Sequence, residues 1–263
     1  MLLGLWLDQP IWLMFTLLAL PFAGVVVTVC LLTNLRWTRP AVLWAGTGIV
    51  PAYFTAISTL LALLTGFVAS DAWERQRQAA RVVQAERVNA RGVYDLSLAS
   101  ASDMSGIRAA LSSYLDALIK DEWPRMSEGA YSNGAGQALS HLLEKVADPT
   151  ISAEAGTATH AALLGAVMAL RAARGERLAL ADAKSDESKW VTLLVLAGLT
   201  LVAIGLVHIE QTRAQATTMI MFSVAMITTL GVIAIHERPF DGPMAVSAAP
   251  LQQARSVMFP GAL

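Results

Sequence analysis

The sequence predicts an all-α membrane protein: four transmembrane helices, with a long helical extramembrane segment between the second and the third. Three observations predict this fold class. The chain has 263 residues, of which 55% are hydrophobic and only 15% charged. Four stretches, residues 9–35, 40–70, 190–207 and 214–235, contain no Asp, Glu, Lys, Arg or His. The 19 Lys and Arg and 20 Asp and Glu are therefore confined to the rest of the chain, at about a quarter of its residues, which is the density of a soluble domain.

A helix rises 1.5 Å per residue, so about 20 apolar residues cross the hydrocarbon core. Each charge-free stretch meets that length, and the spans are expected at about 11–33, 42–70, 190–208 and 215–235. Pro21 and Pro51 lie inside the first two spans, where neighbouring helices or Ser and Thr can satisfy the freed carbonyls, so each marks a possible kink. Trp6, Trp12, Trp37, Trp44, Trp73 and Trp190 fall near predicted helix ends, where an amphipathic indole favours the membrane interface. The first span is longer than a signal peptide's apolar region and lacks a basic stretch before it, so it is expected to stay in the mature protein.

Four crossings place the N-terminus, residues 71–189 and the C-terminus on one side, and two tight hairpins, residues 36–39 and 208–213, on the other. Counting Lys and Arg does not decide which side is cytoplasmic, because most of the cations opposite the hairpins sit in a segment too long to count. Four regions follow: residues 1–70 (helices one and two), 71–189 (the extramembrane segment), 190–236 (helices three and four) and 237–263 (the tail).

The extramembrane segment reads as helical. Residues 71–93 continue helix two out of the bilayer. Met104, Ile107, Leu111, Leu115, Leu118 and Ile119 step by three and four and make one apolar stripe, which Trp123-Pro124 is expected to end. A turn-rich stretch over 127–136 precedes a short helix carrying Leu139, Leu142, Leu143 and Val146, closed by Asp148-Pro149. An Ala-rich run over 153–183 predicts a long helix returning to the membrane. No period-2 strand pattern or internal repeat is present.

Composition excludes several function classes. A net charge of −1 gives no basic field for nucleic acid. The single cysteine, Cys30, lies in the first span, so neither an intrachain disulfide nor a thiolate metal site is available. The spans carry no carboxylate, histidine, lysine or arginine, which argues against a proton relay, an ion-coupled carrier or a voltage sensor. His141, His160, His208 and His236 share no ligand spacing, and no phosphate loop or nucleophile elbow occurs, so neither a metal, a cofactor nor catalysis is expected. Asp121-Glu122 and Asp186-Glu187 are sequence neighbours on different helix faces and read as solvated charge. Arg171, Arg174 and Arg177 step by three and, with Lys184 and Lys189, form a candidate cationic vestibule or lipid-facing strip; interspersed acids make a plain solvated face the competing reading.

The most informative stretch is helix two and its exit. An apolar helix ends in Gly66-Phe67 and runs through Ser70, Asp71 and Trp73 to Arg75. This resembles the second transmembrane helix of the bestrophins, in particular their distant bestrophin-like bacterial branch. Arg238-Pro239-Phe240-Asp241-Gly242, directly after helix four, is similar to the element that follows the last membrane helix in that family. The order of two spans, a long helical segment and two spans also agrees, whereas the motif-level match covers about 25 residues.

The resemblance implies a homopentameric anion channel in the bacterial inner membrane, with both termini and residues 71–189 cytoplasmic and with small inorganic anions and the lipid bilayer as partners. It also implies a pore neck built from three side chains at i, i+4 and i+8 of helix two, which fall here on Thr59, Leu63 and Phe67. One helical face carries all three, and such a hydrophobic constriction gates by dewetting. Thr59 departs from the apolar pattern and is expected to make its end of the neck wetter. Animal bestrophins bind calcium through acidic residues after the last span; residues 242–263 hold no carboxylate side chain, so that gating route is not expected. Pro250, Met258, Phe259 and Pro260 are expected to pack along a neighbouring subunit. Any apolar helix shows an i, i+4, i+8 set, so a membrane scaffold that docks a partner and conducts nothing is the competing function, with a membrane sensor third.

Overall fold

The computed structural model describes residues 2–46, 51–100, 102–126, 132–183 and 186–261. The regular elements of the described residues are all helices, without a β-strand, and fall into two compact units.

One unit spans Met1–Glu74 and Lys184–Glu237. It contains α1 (Leu2–Leu7), α2 (Ile11–Asn34), α3 (Arg39–Gly46), the first half of α4 (Pro51–Ala99), α10 (Glu187–Val207) and α11 (Thr212–Ile235). Among the described residues, four helices are long and apolar enough to cross a membrane: Ile11–Asn34, Phe54–Ala99, Glu187–Val207 and Thr212–Ile235. Within the run expected over 42–70, the structure describes α3 up to Gly46 and α4 from Pro51; residues 47–50 lie outside the described set.

α2, α10 and α11 form the core of this unit. Met14, Leu18, Phe22 and Val29 of α2 are buried together with Leu193, Ala197 and Leu201 of α10 and Met219, Met226 and Leu230 of α11. Two glycines permit the close approach: a Cβ on Gly205 would stand 2.5 Å from Val29 Cγ1, and one on Gly231 would enter the ring of Phe15. The three helices also share a polar stitch. Thr33 donates to Gln215 Oε1 at 3.2 Å, the buried Gln215 donates from Nε2 to the Gly205 carbonyl at 2.6 Å, and Thr212 donates to Asn34 Oδ1 at 3.1 Å. Trp6 and Trp190 turn toward each other edge to face at 5.3 Å, leaving Trp12, Trp37, Trp44 and Trp73 exposed.

The other unit spans Arg75–Ala183 and Arg238–Leu263. It holds the second half of α4, α5 (Ser105–Ala117), a π-helical turn (Leu118–Glu122), α6 (Trp123–Met126), α7 (Asn133–Ala147), α8 (Pro149–Ala155), α9 (Thr157–Asp182) and α12 (Ala249–Met258). The predicted stripe on α5 is buried at Met104, Ile107, Leu111, Leu115 and Leu118, against Leu139, Leu142 and Val146 of α7 and Leu163, Val167 and Leu170 of α9.

Several ends differ from expectation. Trp123-Pro124 does not stop the chain's winding: the backbone loosens into the π turn, the Trp123 N–H reaches the Leu118 carbonyl, and Pro124 enters the first turn of α6. Of the turn-rich stretch, residues 127–131 lie outside the described set, and Ser132 caps α7 by accepting from the Gly134 N–H at 3.1 Å. The long return helix starts at Thr157, because Gly156 takes φ +83° and separates it from α8. The tail also differs from its reading. Met258 is buried in this unit's own core beside Leu251, and Phe259 meets Tyr94 edge to face at 5.3 Å, so these two are occupied within their own chain, whereas Pro250 is half-buried and Pro260 exposed.

Candidate functional site

The candidate pore residues lie on the membrane half of α4. Leu61, Val68, Ala69 and Ala72 make its buried side, at the three- and four-residue spacing of one helix face. Thr59, Leu63 and Phe67 lie on the opposite side and are exposed, Leu63 by 55% and Phe67 by 70%. Ser70 and Glu74 continue the exposed stripe at the same spacing. Only 17% of the apolar window of α4 is buried, the same share as in α2 and less than the 44% of α10 and 39% of α11, so α4, like α2, leaves most of its apolar surface uncovered by its own chain. A Cβ on Gly66 would meet nothing within 4 Å. Thr59 donates its hydroxyl to the Thr55 carbonyl at 2.8 Å, which spends its proton on the helix itself and leaves only acceptor capacity toward the exposed side.

The exit motif is tied down electrostatically. Lys189 Nζ reaches Asp71 Oδ2 at 2.9 Å, with both side chains about 40% exposed. Trp73 is 44% exposed, and Arg75 is half-buried. The motif after helix four is a closed loop: Arg238 pairs with Asp241 at 2.7 Å, the Val246 N–H donates to the Pro239 carbonyl at 2.8 Å, and Gly242 adopts φ +92°. Phe240 is buried and meets Trp123 edge to face at 6.0 Å.

The arginine strip is not a vestibule. Arg171 is exposed, but Arg174 is mostly buried and clamped on Glu122, with Nε 3.1 Å from Oε1. Arg177 is fully buried: Nε donates to Glu86 Oε2 at 2.8 Å, Nη2 donates to Glu122 Oε1 at 2.6 Å, and the guanidinium lies 5.3 Å from the Trp123 ring centre. Lys184 lies outside the described residues and Lys189 belongs to Asp71. Glu122, read as solvated, is likewise buried. Tyr114 completes the cluster, donating to Glu86 Oε1 at 2.5 Å. Burial first, then the Glu86 charge, hold its phenol well above the ordinary value. Burial works against the charge on Arg177, but the Glu86 carboxylate outweighs it and the guanidinium is held more firmly protonated than usual.

Sequence reasoning missed Glu86 and Glu122, although a signal existed for Glu86. Ala79, Val83, Glu86, Ala90 and Val93 step by three and four, which places a carboxylate within an apolar stripe. Leu163, Val167, Leu170, Arg174 and Arg177 continue one another in the same way on α9. The histidines stay apart. His160, His208 and His236 each contact a backbone carbonyl, of Val146, Ile204 and Val232, while His141 lies 3.6 Å from Glu144.

A family model described as a bestrophin-like domain matches residues 20–251. The fold is similar to solved structures of a bacterial bestrophin homologue from Klebsiella pneumoniae. One, a point variant, has 13% identity and a TM-score of 0.67, covering 93% of this chain and 96% of that one. A second variant has 14% identity and a TM-score of 0.66, covering 95% and 98%. A third structure of the homologue has 15% identity and a TM-score of 0.65, covering 93% and 95%. No curated protein matches the sequence.

Proposed function

The chain belongs to the bestrophin-like family, and on that premise we propose that it is a passive anion channel whose α4 lines a central hydrophobic neck. The observation that carries this reading is the exposure of Leu63 and Phe67 on the side of α4 turned away from its own chain. Repeated around a symmetry axis, Thr59, Leu63 and Phe67 form stacked rings, and rings of apolar side chains gate small ions by dewetting. Five copies are the expected assembly. Both termini and residues 71–189 are assigned to the cytoplasm of a bacterial inner membrane, with the region boundaries at 70, 189 and 236 as read from the sequence. Small inorganic anions are the permeant species.

The test is the native mass of the protein in mild detergent, followed by halide efflux from reconstituted liposomes. A pentamer that passes halide supports the reading. A monomer, a dimer or a fixed complex with another protein removes the central neck, and the scaffold reading then replaces it.

A further inference from the structure

Between Asp8 and Asp71 the sequence has two charged residues, Arg36 in the turn that joins α2 to α3 and Arg39 at the first position of α3. The turn is built, not loose. Thr38 donates its hydroxyl to the Leu32 carbonyl at 2.7 Å, the Arg39 N–H reaches the Leu35 carbonyl at 3.0 Å, and the Val42 N–H reaches the Thr38 carbonyl at 3.0 Å. Both arginines are exposed, and among the described residues neither has an ion-pair partner. Between and beside them stand the two most exposed aromatic side chains of the chain's described large hydrophobics, Trp37 at 93% and Trp44 at 82%. The Thr212–Asn34 hydrogen bond brings the α10–α11 turn to the same end, where Arg213 and Glu210 offset one another while Arg36 and Arg39 remain in excess.

We propose that this turn is a docking surface for the phosphate headgroups of anionic phospholipids. α2 has 24 residues and is therefore about 36 Å long, so its end falls at headgroup level in a bilayer whose hydrocarbon core is about 30 Å thick. Guanidinium groups pair phosphate oxygens bidentately, and indole rings partition to that same layer. An aqueous anion funnel would use the cations but not two indoles exposed to bulk water, so the pairing of Arg with Trp favours lipid. A zwitterionic headgroup carries its own ammonium beside the phosphate, whereas an anionic one leaves net charge for the two arginines.

The inference stands apart from the channel reading, because its test measures no flux. The full-length protein is equilibrated in mild detergent with equal phosphatidylglycerol and phosphatidylcholine, and the retained lipids are counted by native mass spectrometry. The wild-type chain is expected to prefer phosphatidylglycerol, and each charge removed by Arg36→Gln or Arg39→Gln to lower that preference about fivefold. Arg171→Gln, at an exposed arginine elsewhere, leaves it unchanged. An undiminished preference in the Arg36→Gln/Arg39→Gln variant, or an equal loss in Arg171→Gln, overturns the assignment. Excess inorganic phosphate is a second arm: lipid counts that survive it support a headgroup site, while full displacement by free phosphate overturns it in favour of an aqueous anion site. Headgroup-level brominated phosphatidylglycerol is expected to quench wild-type fluorescence more than that of Trp37→Phe; equal quenching places Trp37 away from the lipid and sinks the proposal.

Discussion

Arg177 donates to Glu86 across 91 residues of sequence, at 2.8 Å, with neither side chain exposed to solvent. Two buried carboxylates, Glu86 and Glu122, face two arginines, Arg174 and Arg177, so the cluster is neutral as a whole and costly to leave half-made. Arg177→Met leaves both carboxylates short of a partner and is expected to cost about 3–5 kcal/mol, read as a lowered thermal midpoint of the detergent-solubilised protein. Adding Glu86→Gln to the same chain recovers part of the loss, because Glu122 keeps Arg174 as its partner. A single variant as stable as the wild type shows that the pair is dispensable.

Tyr114→Phe removes the hydroxyl that Glu86 accepts and is expected to cost about 1–3 kcal/mol. Its raised pKa also gives a pH dependence. The unfolded phenol ionises near 10 while the folded one stays protonated, so the folded chain binds the extra proton and stability falls as pH rises above about 10. The wild-type midpoint should therefore decline more steeply between pH 9 and 11 than that of Tyr114→Phe. Parallel profiles would detach the effect from this residue.

Asp116 holds Arg255 of α12 at 2.9 Å and Lys120 at 3.2 Å. Partial burial raises its pKa, but hydrogen bonds from Arg255 and then Lys120 prevail and hold the carboxyl below the ordinary value of 3.8. A depressed carboxyl contributes its stability above the unfolded value and loses it as pH falls through the folded one. Amides of α12 should accordingly lose hydrogen-exchange protection below about pH 4, after correction for intrinsic rates. Asp116→Asn should show the weakened state already at neutral pH.

Phe67→Ala and Leu63→Ala remove the exposed side chains of the proposed neck. Either is expected to raise halide efflux several-fold or to abolish its gating, with the thermal midpoint little changed, because both residues are exposed in their own chain. Unchanged efflux in both variants would take the neck away from α4.

Gly231→Ala pushes a methyl group into the Phe15 ring and Gly205→Ala pushes one into Val29. Overpacking of this kind costs about 1–3 kcal/mol. The combined variant Gly231→Ala/Phe15→Leu is expected to recover stability, while a Gly231→Ala chain as stable as the wild type would mean that the helices separate freely.

Much of the fold was legible because the membrane imposes a length and a composition on each span. The α5 stripe was legible for the same reason that any amphipathic helix is: burial repeats with the helical period. Two things were not. The π turn trades a hydrogen-bond register that sequence does not encode, so Trp123-Pro124 read as an end when it is a passage. The arginine strip was counted from its charges, although the apolar residues preceding Arg174 and Arg177 already set which side of α9 turns inward. Thr59, Leu63 and Phe67 came from resemblance and spacing, and what the structure adds is their shared exposure.

The stitch between Thr33 and Gln215 has a consequence for biogenesis. Gln215 is synthesised 182 residues after Thr33, so α2 enters the bilayer long before its hydrogen-bond partner exists. In the interval Thr33 is accommodated by the Val29 carbonyl of its own helix, at 2.8 Å. Lateral assembly with the α10–α11 hairpin is thus a late event, separate from insertion, and a ribosome stalled before residue 215 would carry an α2 that is inserted but still without its polar partner.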